Sequence, residues 1–322
     1  MKKFTTYEEQ IELLKSRDLD ILNENNLCSY LKNYGYYNLI NGYSFVFKYK
    51  NNNVYRNKVN EEDIMSLYKF DKNLRNIVYK YTLNIESKIK SLISYVFSRE
   101  HGEHQDVYLQ RECFDKDRNK DEQISKLINK CQEIIAVASD KNSNKFRKYI
   151  MHYVDEHKHV PFWVLIRAMT IGETSKFYSC MTLKERSEIS KEFQLNPKNF
   201  EIMLKMLVAY RNIVAHDERI FCVQIQNDSM PVSLNVYEYM KIKKTKNGVP
   251  MVGKKDFLAL MIIMKYLLSE MEFANFWFEL NTELCLLKDK LKDKINYYGE
   301  IIEMMGLKNS WYKLRSFNPL IN

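Results

Sequence analysis

Glycine and proline are scarce in this chain of 322 residues, which contains 8 glycines and 5 prolines. No glycine lies between Gly102 and Gly172, and none lies between Gly172 and Gly248. Barrels and sandwiches need frequent tight turns, which depend on such residues. The composition therefore disfavours an all-β fold and predicts a mostly α-helical protein with long helices.

Paired cysteine motifs and long hydrophobic segments are also missing. The 6 cysteines are scattered without a C-x-x-C pair, so we expect small buried side chains in a reducing compartment. The N-terminus lacks the apolar segment of a signal peptide. The longest apolar run, FLALMIIM at 257–264, is much shorter than a membrane span. We therefore expect a cytoplasmic protein, and no motif indicates a cofactor.

Acidic residues are absent from residues 25–60, where five basic residues lie among nine aromatic ones. Over the whole chain, 50 Lys and Arg against 41 Asp and Glu give a net charge of +9. This balance suits a polyanion such as nucleic acid, although it also serves ordinary solubility. A membrane surface is a further alternative, but the chain lacks a strongly amphipathic basic helix.

Basic residues interleaved with aromatic ones are typical of proteins that bind single-stranded nucleic acid, because cations contact phosphates and rings stack on bases. A second acid-free basic segment follows at 241–255. The tyrosines could equally pack against neighbouring helices, and the two interpretations are compatible. The predicted RNA-binding residues are Lys32, Tyr36, Tyr37, Lys48, Lys50, Lys243, Lys244 and Lys246.

Hydrophobic periodicity divides the chain into three parts. Residues 1–60 form a small basic and aromatic element that begins with a short amphipathic helix. Residues 61–280 form a helical domain, which opens with one long helix, or two in tandem, over 61–100. Alternating residues and an Asn-Gly turn predict a β-hairpin-like insertion at about 219–252. Residues 281–322 form a C-terminal helical tail.

Within the helical domain, further helices are predicted at 121–138, 144–157 and 183–193. Another follows Pro161 and is expected to end at Gly172. Asn199 could cap the next helix, which carries FEIMLKMLVAYRNIVAH.

Arginine and histidine recur with R-x4-H spacing at 99–104, 147–152 and 211–216. Spacing alone cannot choose among these pairs. Only Arg211 and His216 end a strongly apolar helix, where an unpartnered arginine is costly. This context predicts an ion pair, an interface or chemistry, and a structural Arg-His pair is the alternative. His152, Glu156 and His159 share a helical face, but a solvated helix end explains them better than a metal.

Four segments together resemble the Abi (abortive infection) D/F-type family, whose core is a HEPN ribonuclease domain. They cover roughly residues 30–220 in the order of the family's blocks. Two departures stand out: Arg167 replaces an expected glutamate, and Phe221-Cys222 replaces an expected Trp-Asn. The segments are LKNYGYYNLINGYSFVF, FDKNLRNIVYKYTLNIESKIKS, PFWVLIRAMTIGETSKFY and YRNIVAHDERI.

The resemblance implies a helical HEPN bundle that cleaves RNA without a metal. His216 would transfer protons near neutral pH, and Arg211 would stabilise charge on the phosphate. Asn212 could orient either group. Arg219, the last arginine of the signature, and Glu86, a candidate partner of Arg211, would support them, although Glu86 could simply be a surface charge.

Two further expectations concern partners. HEPN nucleases usually act as dimers, and five helical steps place Arg211 and His216 about 140° apart, so a homodimer would complete the site. The resemblance also implies a structured non-coding RNA partner besides the RNA substrate. The competing hypothesis is a non-catalytic RNA-binding module that keeps the fold for assembly.

Overall fold

A computed structural model describes residues 3–50, 52–308 and 311–319, and the described chain is mostly helical. The α-helices are α1 Tyr7–Lys15, α2 Glu24–Tyr34, α3 Glu61–His101, α4 Gln105–Tyr108, α5 Asp121–Ser139, α6 Lys148–His157, α7 Phe162–Ala168, α8 Ile171–Cys180, α9 Leu183–Lys191, α10 Pro197–Ala215, α11 Val236–Tyr239, α12 Phe257–Leu267, α13 Glu270–Lys290 and α14 Ile295–Met304. A π-helical turn spans Tyr37–Asn41, and 3-10 turns span Ser44–Phe47, Arg111–Cys113, Arg118–Lys120, Lys292–Lys294 and Trp311–Arg315.

The 41-residue helix α3 is the centre of the fold, and it confirms the helix predicted over 61–100. Asn60 caps its first turn by accepting a hydrogen bond from the backbone N–H of Asp63, whose side chain accepts one from Asn60 in return. Gly102 ends it with a φ of +75°, a conformation that favours glycine. Because no glycine or proline interrupts α3, its apolar stripe runs unbroken through the core.

Helix α3 packs against α4, α7, α8, α9, α10 and α13. Helix α13 also forms hydrogen bonds with α3 across about two hundred residues of sequence. Lys80 contacts Glu279 at 2.7 Å, and Asn84 donates to Glu272 at 3.1 Å. Since α13 runs through residue 280, the predicted boundary between domain and tail lies inside a continuous helix.

The N-terminal element comprises α1, α2, the π-helical turn and the 3-10 turn Ser44–Phe47. The Glu61 carboxylate accepts hydrogen bonds from the backbone N–H groups of Leu22 and Asn23, at 2.9 and 2.8 Å. Arg56 pairs with Glu300 on α14 at 2.6 Å. These polar contacts join the element to both ends of the helical domain.

The prediction of a β-hairpin over about 219–252 is wrong. The Asn-Gly turn forms, with Gly248 at a φ of +75°, but it supports only a single antiparallel bridge between Lys244 and Pro250. No sheet is present in the described part of the chain. Val236 and Tyr237 instead enter the core from the short helix α11, so burial favours helix over strand here.

Gly172 does not end a helix, contrary to the prediction. Helix α7 ends at Ala168, and Thr170 starts α8 through a reciprocal cap with Glu173. Gly172 lies within α8, where a Cβ atom would stand 3.7 Å from Val208 on α10. None of the helices in the described ranges combines the length and apolar character needed to cross a membrane.

Candidate functional site

Helix α10 carries the predicted catalytic residues to the protein surface. Asn196 caps its start, not Asn199 as predicted, by accepting a hydrogen bond from the Asn199 backbone N–H at 2.8 Å. His216 is the C-terminal cap, and its backbone N–H donates to the carbonyl of Asn212 at 3.0 Å. The imidazole is exposed and makes no hydrogen bond to any described residue. It is therefore accessible to a ligand.

Arg211 lies five residues earlier on α10 and is half-buried. Its Nε is buried without a hydrogen-bond partner among the described residues. No hydrogen bond or ion pair in the described chain joins Arg211 to His216, as the separation around the helix predicts. Asn212 is exposed, and its side chain contacts neither of them.

Glu86 pairs with Lys90 at 2.7 Å and not with Arg211. Its other carboxylate oxygen is buried without a partner in the described structure. Lys90 also donates to the carbonyl of Met169 at 2.6 Å. Lys90, one turn further along α3, is therefore the ion-pair partner of Glu86, in place of the Arg211 that the sequence suggested.

A buried polar network fixes the loop that follows His216. The Asp71 side chain is fully buried and accepts hydrogen bonds from the backbone N–H groups of Ile220 and Phe221, at 3.1 and 2.9 Å. It also accepts from the Tyr43 hydroxyl at 2.8 Å and forms an ion pair with Arg75. The network therefore joins the N-terminal element, α3 and the loop after α10.

Arg75 extends this network to the residue after His216. Its side chain is only 4% exposed, and its guanidinium lies 2.8 Å from the carboxylate of Asp217. Asp217 adopts a left-handed conformation with a φ of 57°, and its backbone N–H donates to the carbonyl of Val214 at 3.3 Å. Asp71 and Arg75 were not predicted as site residues. Two opposite charges one turn apart on an apolar helical face nevertheless indicate a buried ion pair from the sequence.

Burial changes the acid–base properties of the network and its surroundings. It raises the pKa of the Asp71 carboxyl, while Arg75, the Phe221 N–H and the Tyr43 hydroxyl act in the opposite direction. Burial also raises the pKa of the Cys222 thiol to about 11. Because a thiolate is the reactive form, this shift makes the Cys222 thiol less reactive.

An open pocket of about 440 Å³ lies between the π-helical turn and the loop after His216. Arg219 spans this gap: it donates a hydrogen bond to the carbonyl of Gly42 and lies 5.6 Å from the ring of Phe45. Arg219 therefore supports the pocket and contacts neither Arg211 nor His216. The lining residues are Tyr37, Asn38, Asn41, Gly42, Tyr43, Tyr68, Arg75, Asp217, Glu218, Arg219, Cys222 and Val223.

The predicted RNA-binding residues of the N-terminal element differ in accessibility. Lys32 and Lys50 are exposed, and Tyr37 is 78% exposed. Lys48 is partly buried over the ring of Tyr55, and burial lowers its pKa. Tyr36 is also partly buried and accepts a hydrogen bond from Arg17 at 3.3 Å. Tyr37 is therefore the ring best placed to stack on a base.

Most other tyrosines of this element are structural. Tyr43 and Tyr55 are buried, and Tyr30 donates to Glu62 at 2.8 Å. The Tyr34 ring lies 4.9 Å from that of Tyr68. Packing thus explains more of the aromatic residues than stacking on nucleic acid does.

The lysines of the second basic segment surround the Asn-Gly turn. Lys243, Lys244 and Lys246 are all exposed. Lys244 lies 3.3 Å from Glu238, so one of the three has an acidic neighbour. The turn therefore presents positive charge to solvent.

The other two R-x4-H pairs lie in different surroundings. Arg99 pairs with Glu188 at 2.7 Å, and the rings of His104 and His159 stack at 4.2 Å. Arg147 donates to the carbonyl of Phe146. Across the described ranges, no three His, Cys, Asp or Glu side chains are grouped as a metal site requires.

The fold and site define an α-helical protein in which an Arg-His motif ends a core helix beside a polar pocket. The profile of the family described as Abi-like protein matches residues 29–222. The chain belongs to this family, which confirms the Abi family at the level of the family as a whole and indicates a role in abortive infection. The matched range starts in α2, contains α3 and α10, and ends at Cys222 beside the pocket. No curated protein and no solved structure matches the chain.

Proposed function

We propose that this protein is a metal-independent endoribonuclease of an abortive-infection system. The observation that carries the proposal is the exposed imidazole of His216, which lies between Arg211 and a loop fixed by the buried Asp71–Arg75 pair. A rigid support of this kind is what a catalytic side chain needs in order to hold its orientation. Family membership and the net charge of +9 agree with an RNA substrate in antiphage defence.

The proposed chemistry divides the work between two side chains. Cleavage requires removal of the 2′-hydroxyl proton, stabilisation of an anionic phosphorane and protonation of the leaving 5′-oxygen. Histidine carries out the proton transfers because it titrates near neutral pH. Arginine remains charged and its planar fork fits a phosphate, so Arg211 stabilises the charge that develops. Asn212 is exposed on the same turn and contacts the RNA backbone.

The test compares cleavage of a single-stranded RNA in EDTA by the wild-type protein and by His216→Ala. We expect the wild type to cleave and the variant to lose cleavage. Equal cleavage by both proteins would show that His216 has no catalytic role. A wild type that cleaves only after a divalent metal is added would refute the metal-independent mechanism.

A second candidate function is an RNA-binding module without catalysis, favoured by the lack of contact between Arg211 and His216 within one chain. Such a module would bind RNA equally well as wild type and as His216→Ala, and neither would cleave it. Alanine at positions 32, 36, 37 or 48 would weaken binding instead. A binding assay beside the cleavage assay separates the two functions.

We predict a homodimer, because a second copy can supply the half of the site that one chain lacks. Sedimentation at micromolar concentration should give twice the chain mass of 38.8 kDa. Mixing Arg211→Ala with His216→Ala chains should restore part of the cleavage, since one of the two composite sites in a mixed dimer then combines the arginine of one chain with the histidine of the other. A monomer that cleaves RNA would show that one Arg-His set is sufficient.

We also predict that the protein copurifies with a specific small structured RNA. Two exposed basic segments provide more phosphate contacts than one scissile bond needs. If six or more phosphates are contacted, affinity should fall about 10³-fold or more between 50 and 200 mM salt. Sequencing the RNA retained at moderate salt should show one enriched species.

The matched control for this RNA uses exposed lysines that lie outside the two basic segments. Replacing Lys243, Lys244 and Lys246 with glutamine should reduce the retained RNA. The same change at Lys126, Lys184 and Lys205, which pair with Glu122, Glu100 and Glu201, should leave it unchanged. A mixture of ribosomal and messenger fragments would argue against a dedicated partner.

A further inference from the structure

We propose that the pocket beside His216 is a subsite for one unpaired nucleobase that carries an exocyclic amino group. The inference rests on the proposed function for the identity of the ligand as RNA, and it adds which part of the RNA the pocket takes. Its volume of about 440 Å³ lies within the range of known ligand pockets. Adenine, cytosine and guanine carry such a group, and uracil does not.

One wall of the pocket provides a surface for stacking. Tyr37 starts the π-helical turn and is 78% exposed, although it lines the pocket. The neighbouring tyrosines 36 and 43 are held by packing or hydrogen bonds, so Tyr37 alone of these three has an exposed ring. Single-turn π-helical segments occur often at functional sites.

Polar side chains at the rim can read the edge of a base. Asn38 and Asn41 are exposed on the π-helical turn, and each amide offers donors and an acceptor. Glu218 lies on the opposite wall with an exposed carboxylate that has no partner among the described residues. A carboxylate accepts hydrogen bonds from an amino group, whereas uracil presents the acceptor O4 at that position and has only its ring N3–H to donate.

The charges in the pocket exclude a phosphate and admit a neutral base. The buried Arg75 is already engaged by both Asp71 and Asp217, which leaves Arg219 as the other cation of the lining. Glu218 offsets Arg219. A phosphate would therefore meet no net positive charge here, while a neutral ring that donates hydrogen bonds loses nothing by entering.

The pocket adjoins His216, the residue proposed to cleave the RNA. Asp217, Glu218 and Arg219 follow His216 directly and form one wall of the pocket. A base held there belongs to a nucleotide that adjoins the scissile phosphate at His216. Cleavage should therefore occur beside adenine, cytosine or guanine and seldom beside uracil.

The experiment measures RNA binding by the full-length His216→Ala protein, in which cleavage does not interfere. Fluorescence anisotropy should show that single-stranded A6 and C6 bind about 5- to 150-fold more tightly than U6. Glu218→Gln should reduce this preference by weakening A6 and C6 binding and strengthening U6 binding, because the amide does not repel O4 and can donate to it. Tyr37→Ala should weaken the binding of all three by about 5- to 150-fold, because stacking is tolerant of sequence.

Tyr312→Ala is the matched control, because Tyr312 is 62% exposed and does not line the pocket. Equal binding of A6, C6 and U6, equal effects of Tyr37→Ala and Tyr312→Ala, or no binding at all would overturn the subsite. None of these binding results determines the outcome of the cleavage test in EDTA, which tests the nuclease activity separately. If the subsite is found while the wild type never cleaves, the nuclease proposal fails and the subsite stands.

Discussion

Replacing His216 with alanine is expected to lower the initial rate of RNA cleavage in EDTA by about 10²- to 10⁴-fold. That is the range that a well-placed general acid or base contributes. Because the His216 side chain is exposed and has no partner in the described structure, the substitution should not change the free energy of unfolding. Replacing Arg211 with alanine should lower the rate by about 10²- to 10³-fold through lost stabilisation of the phosphorane.

The sequence contains its own control for this prediction. His152 ends another R-x4-H pair and is also exposed, but it belongs to α6, and no residue of α6 lines the pocket beside His216. His152→Ala should therefore cleave at the wild-type rate. A loss of activity in His152→Ala as large as that in His216→Ala would mean that the motif at 211–216 was wrongly chosen.

Replacing Arg75 with methionine is expected to lower the free energy of unfolding by about 3–5 kcal/mol. The substitution leaves the fully buried carboxylate of Asp71 without its cation, and this is the costly way to break a buried ion pair. Urea denaturation followed by circular dichroism measures the change. The double variant Asp71→Leu with Arg75→Met should lose less than the two single changes predict together, because it leaves no buried unpaired charge and the exposed Asp217 remains solvated.

Lys126→Met provides the matched comparison for Arg75→Met. Lys126 and Glu122 are also one turn apart on a helix, but their side chains are 74% and 81% exposed. Breaking an exposed pair of this kind costs about 0.5 kcal/mol or less. Similar midpoints for the two variants would show that the buried network contributes little to stability.

Periodicity and breaker residues could predict the long helices. The unbroken apolar spacing from residue 61 to 100 allowed only one or two long helices, and α3 is one. The helix α10 was predicted as well, but its cap was placed three residues late, at Asn199 instead of Asn196. These signals are local, because capping and helical spacing depend on residues within one or two turns.

The errors arose where distant contacts decide the conformation. Alternating residues and an Asn-Gly turn suggested strands near 236, but the core accepts Val236 and Tyr237 from a helix. Gly172 resembled a helix terminator, but it lies inside α8, where a Cβ atom would stand at an ordinary packing distance of 3.7 Å from Val208 on α10. Neither packing partner is visible in a local window of sequence.

The candidate site was only partly predictable for the same reason. Arg211 and His216 could be selected from their helix, since the apolar context is local. The pocket joins residues near 40, 75 and 220, and no spacing rule connects three segments so far apart. Asp71 and Arg75 were visible as an unusual charge pair, but only the fold shows that they hold the loop at 217–221.

The packing of α13 on α3 has a consequence for protein synthesis. The family-matched region ends at residue 222, before α13 begins. The face of α3 that α13 covers therefore remains exposed until the chain has been synthesised as far as Lys290. At about 5–20 residues per second, the ribosome needs roughly 3 to 14 s to extend the chain from Cys222 to Lys290. During that interval the Arg-His segment already exists, but the helix that supports it is incompletely packed. The ribosome therefore synthesises the Arg-His motif before the nascent chain can complete the core that supports this motif.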